Sequence, residues 1–214
     1  MTGSSSASWE FLRHHIKLEI LCIGICNDLT QVPESIRSLT SLQRLRITSC
    51  RTLGALPEWL GELCSLRDLY VCFIPMLASL PPSIGHLTSL TKLEIRGCHN
   101  LKLLPDAIQH LTSLEYLCLV YCGALTELPE CIGQLSALQQ IHIEDCSGLQ
   151  CLPHSIQRLA ALQILIIYDC PALASRYKQG VGPDWHLVSH IPHVFIISPE
   201  DPFTAEGPAP LPPK

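Results

Sequence analysis

Apolar positions recur along the chain in two alternating steps. From Pro33 they fall three residues apart, at Ile36, Leu39, Leu42 and Leu45, and then two apart, from Leu45 to Ile47. A step of three suits a short helical or 3₁₀ segment, and a step of two is the period of a strand. Pro33 stands where such a helix begins, a position that needs no backbone N–H. The stretch 29–52 therefore reads as a strand, a turn and a short helix. That is too little to bury its own apolar face.

The same pattern returns every 24 residues. Prolines fall at 33, 57, 81, 105, 129 and 153, and leucines at 39, 63, 87, 111, 135 and 159 and at 42, 66, 90, 114, 138 and 162. Cys26, Cys50, Cys98, Cys122, Cys146 and Cys170 keep the same period, with Ile74 on the one missing rung. Six full units run from Leu29 to Ala172, and an earlier stretch, Leu18 to Ile23, shares their phase. Stacked units bury a continuous core, each contributing about seven apolar side chains worth about 1.5–3 kcal/mol apiece before chain entropy. The expected fold is α/β. It is a leucine-rich-repeat solenoid, a curved right-handed coil with a parallel sheet on the concave face and short helical or 3₁₀ turns on the convex face. Seven strands about 4.8 Å apart give a sheet about 29 Å long.

Four segments follow: 1–17, a disordered start with an N-terminal cap or remnant repeat; 18–172, the solenoid; 173–197, a C-terminal cap; and 198–214, a tail. In the cap, Trp185, Leu187, Val188, Ile191 and the run 194–197 are expected to cover the last coil. Trp9, Phe11, Leu12 and Ile16 either fold over the first strand or belong to a preceding repeat. The tail holds six prolines and reads as disordered and solvated, with polyproline II as its local alternative.

Composition narrows the function classes. Hydrophobic residues make up 47% of the chain, charged residues 15%, and the formal net charge is −5. Wholesale disorder and general nucleic-acid binding are thereby disfavoured. No apolar run reaches the roughly 18 residues of a membrane span. The twelve cysteines accompany neither an apolar leader nor an N-glycosylation sequon, so an intracellular, reducing, cytoplasmic setting is expected. The ladder cysteines are then structural: small buried thiols, each just after its strand, offering a weak donor to a turn. Zinc favours ligand pairs two to four residues apart, which the 24-residue spacing does not supply.

The unit L-x-x-LP-x-x-I-x-x-L-x-x-L-x-x-L-x-I-x-x-C resembles the repeats of plant intracellular immune receptors of the nucleotide-binding, leucine-rich-repeat class. The stretch 170–173, then Gly182-Pro183-Asp184-Trp185-His186, then 189–193, is similar to the C-terminal cap of their coiled-coil subgroup. The resemblance spans roughly residues 18–197. It implies an effector-sensing and autoinhibitory recognition module whose partner is a pathogen effector or the nucleotide-binding domain of a parent receptor. The sequence has no G-x-x-x-x-G-K-[ST] phosphate loop, so nucleotide chemistry is not carried over. The alternative is a general intracellular repeat scaffold binding a signalling protein such as a Ras-like GTPase. That reading calls for a 23-residue period and asparagine on the ladder, where this chain has 24 and cysteine.

Catalysis is not expected, nor a cofactor, metal or small-molecule substrate. The cluster His186, His190 and His193 beside Asp184 is a remote metal-enzyme candidate, but it lacks the glutamate of an H-E-x-x-H site, and Pro192 interrupts a helix before His193. Cys118 and His142 fall on adjacent strands, both expected to be exposed, with no third group to orient them. The expected binding surface is the outward side of the strands. Arg44, Arg46, Arg67, Lys92 and Arg96 oppose Asp68 and Glu94 on the second to fourth strands, a balance of +3. Glu115, Glu144, Asp145 and Asp169 occupy the fifth to seventh, a balance of −4. Tyr70, Phe73, Tyr116, Tyr121 and Tyr168 supply aromatic anchors on the same surface. Cys22, Cys72 and Cys118 are expected to be accessible there.

Overall fold

The computed structural model describes residues 9–198. Eight strands form one parallel sheet in chain order: β1 (Ile20–Gly24), β2 (Arg44–Thr48), β3 (Asp68–Cys72), β4 (Lys92–Arg96), β5 (Tyr116–Val120), β6 (Gln140–Glu144), β7 (Ile164–Tyr168) and β8 (His193–Ile197). From β1 to β7 each residue pairs with the one 24 positions on, Leu45 with Leu69 and Leu69 with Leu93. The register thus repeats the sequence period without slip. A slip of one residue would turn every core leucine out to solvent.

Opposite the sheet runs a row of five-residue 3₁₀ turns, Glu34–Ser38 and its counterparts up to His154–Arg158. The proline in front of each sits in extended conformation and fixes the entry, as at Pro105 (φ −69°, ψ 149°). Successive turns are tied by side chains. The Glu130 carboxylate accepts from the backbone N–H groups of His154 and Ser155 in the next coil, at 3.0 and 2.9 Å. Some coils approach so closely that only glycine fits. A Cβ on Gly133 would lie 2.6 Å from the Ser155 carbonyl oxygen.

The core lies between sheet and turns. The leucines at 39, 63, 87, 111 and 135 and the inward residues of β2 to β7 are buried, while those of the end strands, Leu21, Val194 and Ile196, are partly buried against them. At the end of each strand from β1 to β7 the chain turns through a left-handed residue: Ile25, Ser49, Phe73, Gly97, Tyr121, Asp145 and Asp169 all have positive φ. Each N–H donates to a carbonyl of the next strand, as Tyr121 does to Glu144 at 2.9 Å. The following residue is the ladder cysteine or Ile74, pointing inward. Cys98 donates to the carbonyls of Arg96 and Val71, Cys122 to Val120 and Ile95, and Cys146 to Glu144 and Leu119, so each thiol bridges its own strand end to a neighbouring coil. All twelve cysteines are free.

The two ends differ from expectation. Seven strands were expected, and the run 194–197 was assigned to a cap. It is instead an eighth strand that extends the sheet, with Val194 and Ile196 beside the inward residues Leu165 and Ile167. Two helices precede it, α1 (Pro171–Tyr177) and α2 (Trp185–Val188). Tyr177, Leu187, Val188 and Ile191 are buried over the last coil, and the Tyr177 hydroxyl accepts the Leu152 N–H at 2.9 Å. At the other end, residues Glu10–His14 form a 3₁₀ turn packed on Glu34–Ser38, one period earlier, with Leu12 buried in the place of Ile36. Trp9 is half-buried against the core, whereas Phe11 and Ile16 are exposed. Within the segment expected to hold a cap or a remnant repeat, the turn Glu10–His14 thus keeps the phase of the repeat.

Candidate functional site: the outer face of the sheet

Alternation along each strand directs its first, third and fifth residues away from the core. In-register stacking gathers these into three straight rows. The first holds Arg44, Asp68, Lys92 and Tyr116; the second Arg46, Tyr70, Glu94, Cys118 and His142; the third Cys72, Arg96, Val120, Glu144 and Tyr168. Six residues expected on these strands lie just outside them. Arg67 and Glu115 come one residue before β3 and β5, and Tyr121, Asp145 and Asp169, like Phe73, occupy the left-handed turn after a strand. The face is therefore narrower than the sequence pattern suggested, with these residues along its two margins.

Its centre is a connected polar network. Arg44 meets Asp68 at 2.7 Å; Glu94 receives Lys92 at 2.8 Å and Arg96 at 3.0 Å; His142 Nε2 lies 3.2 Å from Glu144 Oε2. Lys92 Nζ also stands over the rings of Tyr116 and Tyr70, at 4.7 and 5.5 Å from their centroids, and Arg46 over Tyr70 at 5.6 Å. Burial alone would lower the Lys92 pKa, but the Glu94 carboxylate outweighs it and the ammonium is held more firmly than usual. Arg46 has no ion-pair partner among the described residues. With Arg67 at the margin the rows themselves keep an excess of two positive charges, and four of their six charges are locked in these pairs with a fifth, Arg96, beside them.

Two expectations are corrected here. Cys118 and Cys72 face outward yet are buried, and so is Glu94. Short side chains on a flat parallel sheet lie about 4.8 Å from longer ones on the next strand, and Arg96, Tyr116 and their neighbours cover them. Burial pushes the Cys118 thiol up to about 11 and likewise raises Tyr116, so Cys118 is no nucleophile at neutral pH. His142, half-buried, is pulled below its usual pKa by desolvation, which Glu144 only partly counters. Cys22 is exposed as expected.

The outer face of the last two strands was not foreseen. Ile164, Ile166 and Tyr168 of β7 adjoin Phe195 and Ile197 of β8, and Phe195 stacks on His193 at 6.5 Å. These side chains are half-buried or exposed. The outer rows of the fifth to seventh strands are thus not uniformly acidic: Glu144 keeps its charge beside His142, but the acidic residues at 115, 145 and 169 sit at the margins. The signal was in the run Ile164-Leu165-Ile166-Ile167, apolar on both faces of a strand that has only one core-facing side.

The remaining histidine cluster does not converge. His186 lies on α2, with Nδ1 3.2 Å from the Pro183 carbonyl oxygen, and His193 begins β8. Among the described residues no three His, Cys, Asp or Glu side chains come together as a metal site.

A family model described as Leucine Rich Repeat matches residues 89–111. No curated protein sequence matches the chain. Among solved structures, the leucine-rich repeat domain of the type III effector XopL is similar at 23% identity with a TM-score of 0.60, over 87% of this chain and 71% of that one. A leucine-rich-repeat protein of Leptospira interrogans aligns at 20% identity and a TM-score of 0.39, over 72% of this chain and 55% of that one. The Arabidopsis receptor kinase HAESA, solved with a peptide hormone and a co-receptor, aligns at 22% identity and a TM-score of 0.48, over 63% of this chain and 23% of that one. The fold is a leucine-rich-repeat solenoid, an architecture whose extended sheet surfaces serve to bind partners.

Proposed function

We propose that the chain is a protein-recognition module acting through the outer face of its sheet, of the kind found in plant intracellular immune receptors. The observation that carries the binding role is the composition of that face. A prearranged centre of paired charges and aromatic rings adjoins a partly exposed apolar end formed by Ile164, Ile166 and Phe195. Such a combination suits a protein partner: the apolar end supplies buried area, and the charged centre supplies orientation. Support for the receptor assignment comes from the cysteine-bearing repeat and from the terminal block 182–193, which builds α2 and leads into β8. Twelve free thiols accord with an intracellular site of action. On this reading the partner is a pathogen effector or the nucleotide-binding domain of a parent receptor.

The test is binding kinetics against such a partner. Arg46→Glu, at a cation with no ion-pair partner among the described residues, is expected to slow association and alter its salt dependence, whereas Ile166→Asp is expected chiefly to speed dissociation. A partner whose binding is indifferent to both substitutions refutes the use of this face and leaves the fold untouched.

A further inference from the structure

One aromatic side chain breaks the repeat on the opposite side of the molecule. Two residues after each proline the other units carry a small side chain, Ser35, Ser83, Ala107, Cys131 or Ser155. Several of these nest against a glycine of the previous coil: a Cβ on Gly61 would lie within 3 Å of Ser83. At the equivalent position stands Trp59, and the glycine it would need behind it is Arg37. The indole therefore remains half-buried and lines a groove of about 660 Å³. Trp9, one period before Pro33 and so in a proline's place, lines the same groove. Between them lie Val32 and Leu56, with the carboxylates of Asp28 and Glu34 at the rim, the latter 3.5 Å from Arg37 Nη1 just outside the groove. No Lys or Arg is among the lining residues.

Two indoles over an apolar floor with an acidic rim is the surface on which a polyproline II helix with a basic flank docks, proline rings against the indole faces. We propose that this groove is a polyproline-docking site and that its occupant is the segment 207–214 of this same chain. That segment reads Gly-Pro-Ala-Pro-Leu-Pro-Pro-Lys and carries the P-x-x-P spacing at Pro210 and Pro213, followed by Lys214. Reach permits it. The groove lies by the second coil and Ser198 follows β8, six strand spacings or about 29 Å away. The twelve residues from Ser198 to Pro210 span up to about 40 Å. Two other grooves fit less well. The one spanning the turns around Pro105, Pro129 and Pro153 has no tryptophan, tyrosine or phenylalanine in its lining, and the one beside Ser198 offers a single tryptophan with Lys178, a cation facing a cation. This inference is independent of the role assigned to the sheet face.

The full chain has three tryptophans, whose indole N–H signals resolve the question by NMR. Replacing Pro210, Pro212 and Pro213 by Ala is expected to shift the Trp9 and Trp59 signals, leave Trp185 in place, and do so independently of protein concentration. A synthetic peptide of residues 205–214 added to that variant is expected to return both signals to their original positions. A peptide carrying Lys214→Glu should need about threefold more for the same effect, and Trp59→Ser should abolish the response. Unmoved signals from Trp9 and Trp59, movement of Trp185 alone, or a response that fades on dilution and so belongs to a second copy would each overturn the proposal.

Discussion

Gly97→Ala probes the left-handed row that ends the strands. Gly97 has φ 63°, and its N–H donates to the Val120 carbonyl at 2.8 Å, so the conformation is held by a ladder bond. An L side chain in that region costs about 1–2 kcal/mol. The added Cβ would also lie 2.7 Å from Phe73 Cδ1 and 3.3 Å from Phe73 Cα. The Phe73 ring is half exposed and can swing aside, at about 0.5–1 kcal/mol for leaving its rotamer. The sum is about 2 kcal/mol, which for a chain of this size lowers the melting temperature by about 4–8 °C. Urea unfolding followed by far-UV circular dichroism reads the loss, and Phe73→Ala/Gly97→Ala separates the two contributions by recovering about 0.5–1 kcal/mol of coupling. Exposed Ile25, at φ 56°, should respond with the opposite sign, Ile25→Gly gaining about 0.5–1 kcal/mol. A loss below about 0.5 kcal/mol for Gly97→Ala would refute the reasoning, because neither strain nor contact would then be present.

Three further outcomes are expected. Leu114→Ala, fully inside the core with Leu90 and Leu138 on adjacent coils, should cost about 2–5 kcal/mol in the same assay, because hydrogen-bonded coils cannot close over the gap. Alkylation of the native protein read by mass spectrometry should modify Cys22, Cys64 and Cys151 first, while Cys72, Cys98, Cys118, Cys122 and Cys146 resist; burial raises the Cys98 thiol to about 12. His142, with its pKa depressed by burial, should weaken the fold in acid. Above its ordinary 6.5 the imidazole is neutral folded or unfolded, and as pH falls below that value the unfolded chain takes the proton first. Stability is therefore lost from about pH 6.5 downward, and His142→Gln should flatten that limb of a melting-temperature profile.

The core and the rows were legible in the sequence because both depend on one number, the 24-residue period, which the leucines and prolines spell out. β8 was not, since Ile164 pairs with His193 rather than with the residue one period on, and α1 and α2 intervene. The left-handed row was hidden for another reason. Its occupants include Ile25, Phe73 and Tyr121, side chains that signal nothing about φ, and only Gly97, Asp145 and Asp169 hint at it. Alternation correctly placed Cys118 and Glu94 on the outer face but equated outward with solvated. Burial there is set by the lengths of side chains on neighbouring strands, a cross-strand property that reading along one unit does not reveal.

The unbroken parallel register makes the outer face a ruler with two unequal scales. Across the strands a side chain recurs about every 4.8 Å, and along a strand about every 6.6 Å. An extended peptide laid across the strands presents same-side residues at the longer interval, so it falls out of step with the rungs after its first contact and regains step only about four rungs on. The turns of a helix, about 5.4 Å apart, drift more slowly and stay matched over two or three adjacent strands. Geometry alone thus sorts what can lie on this surface before any side chain does.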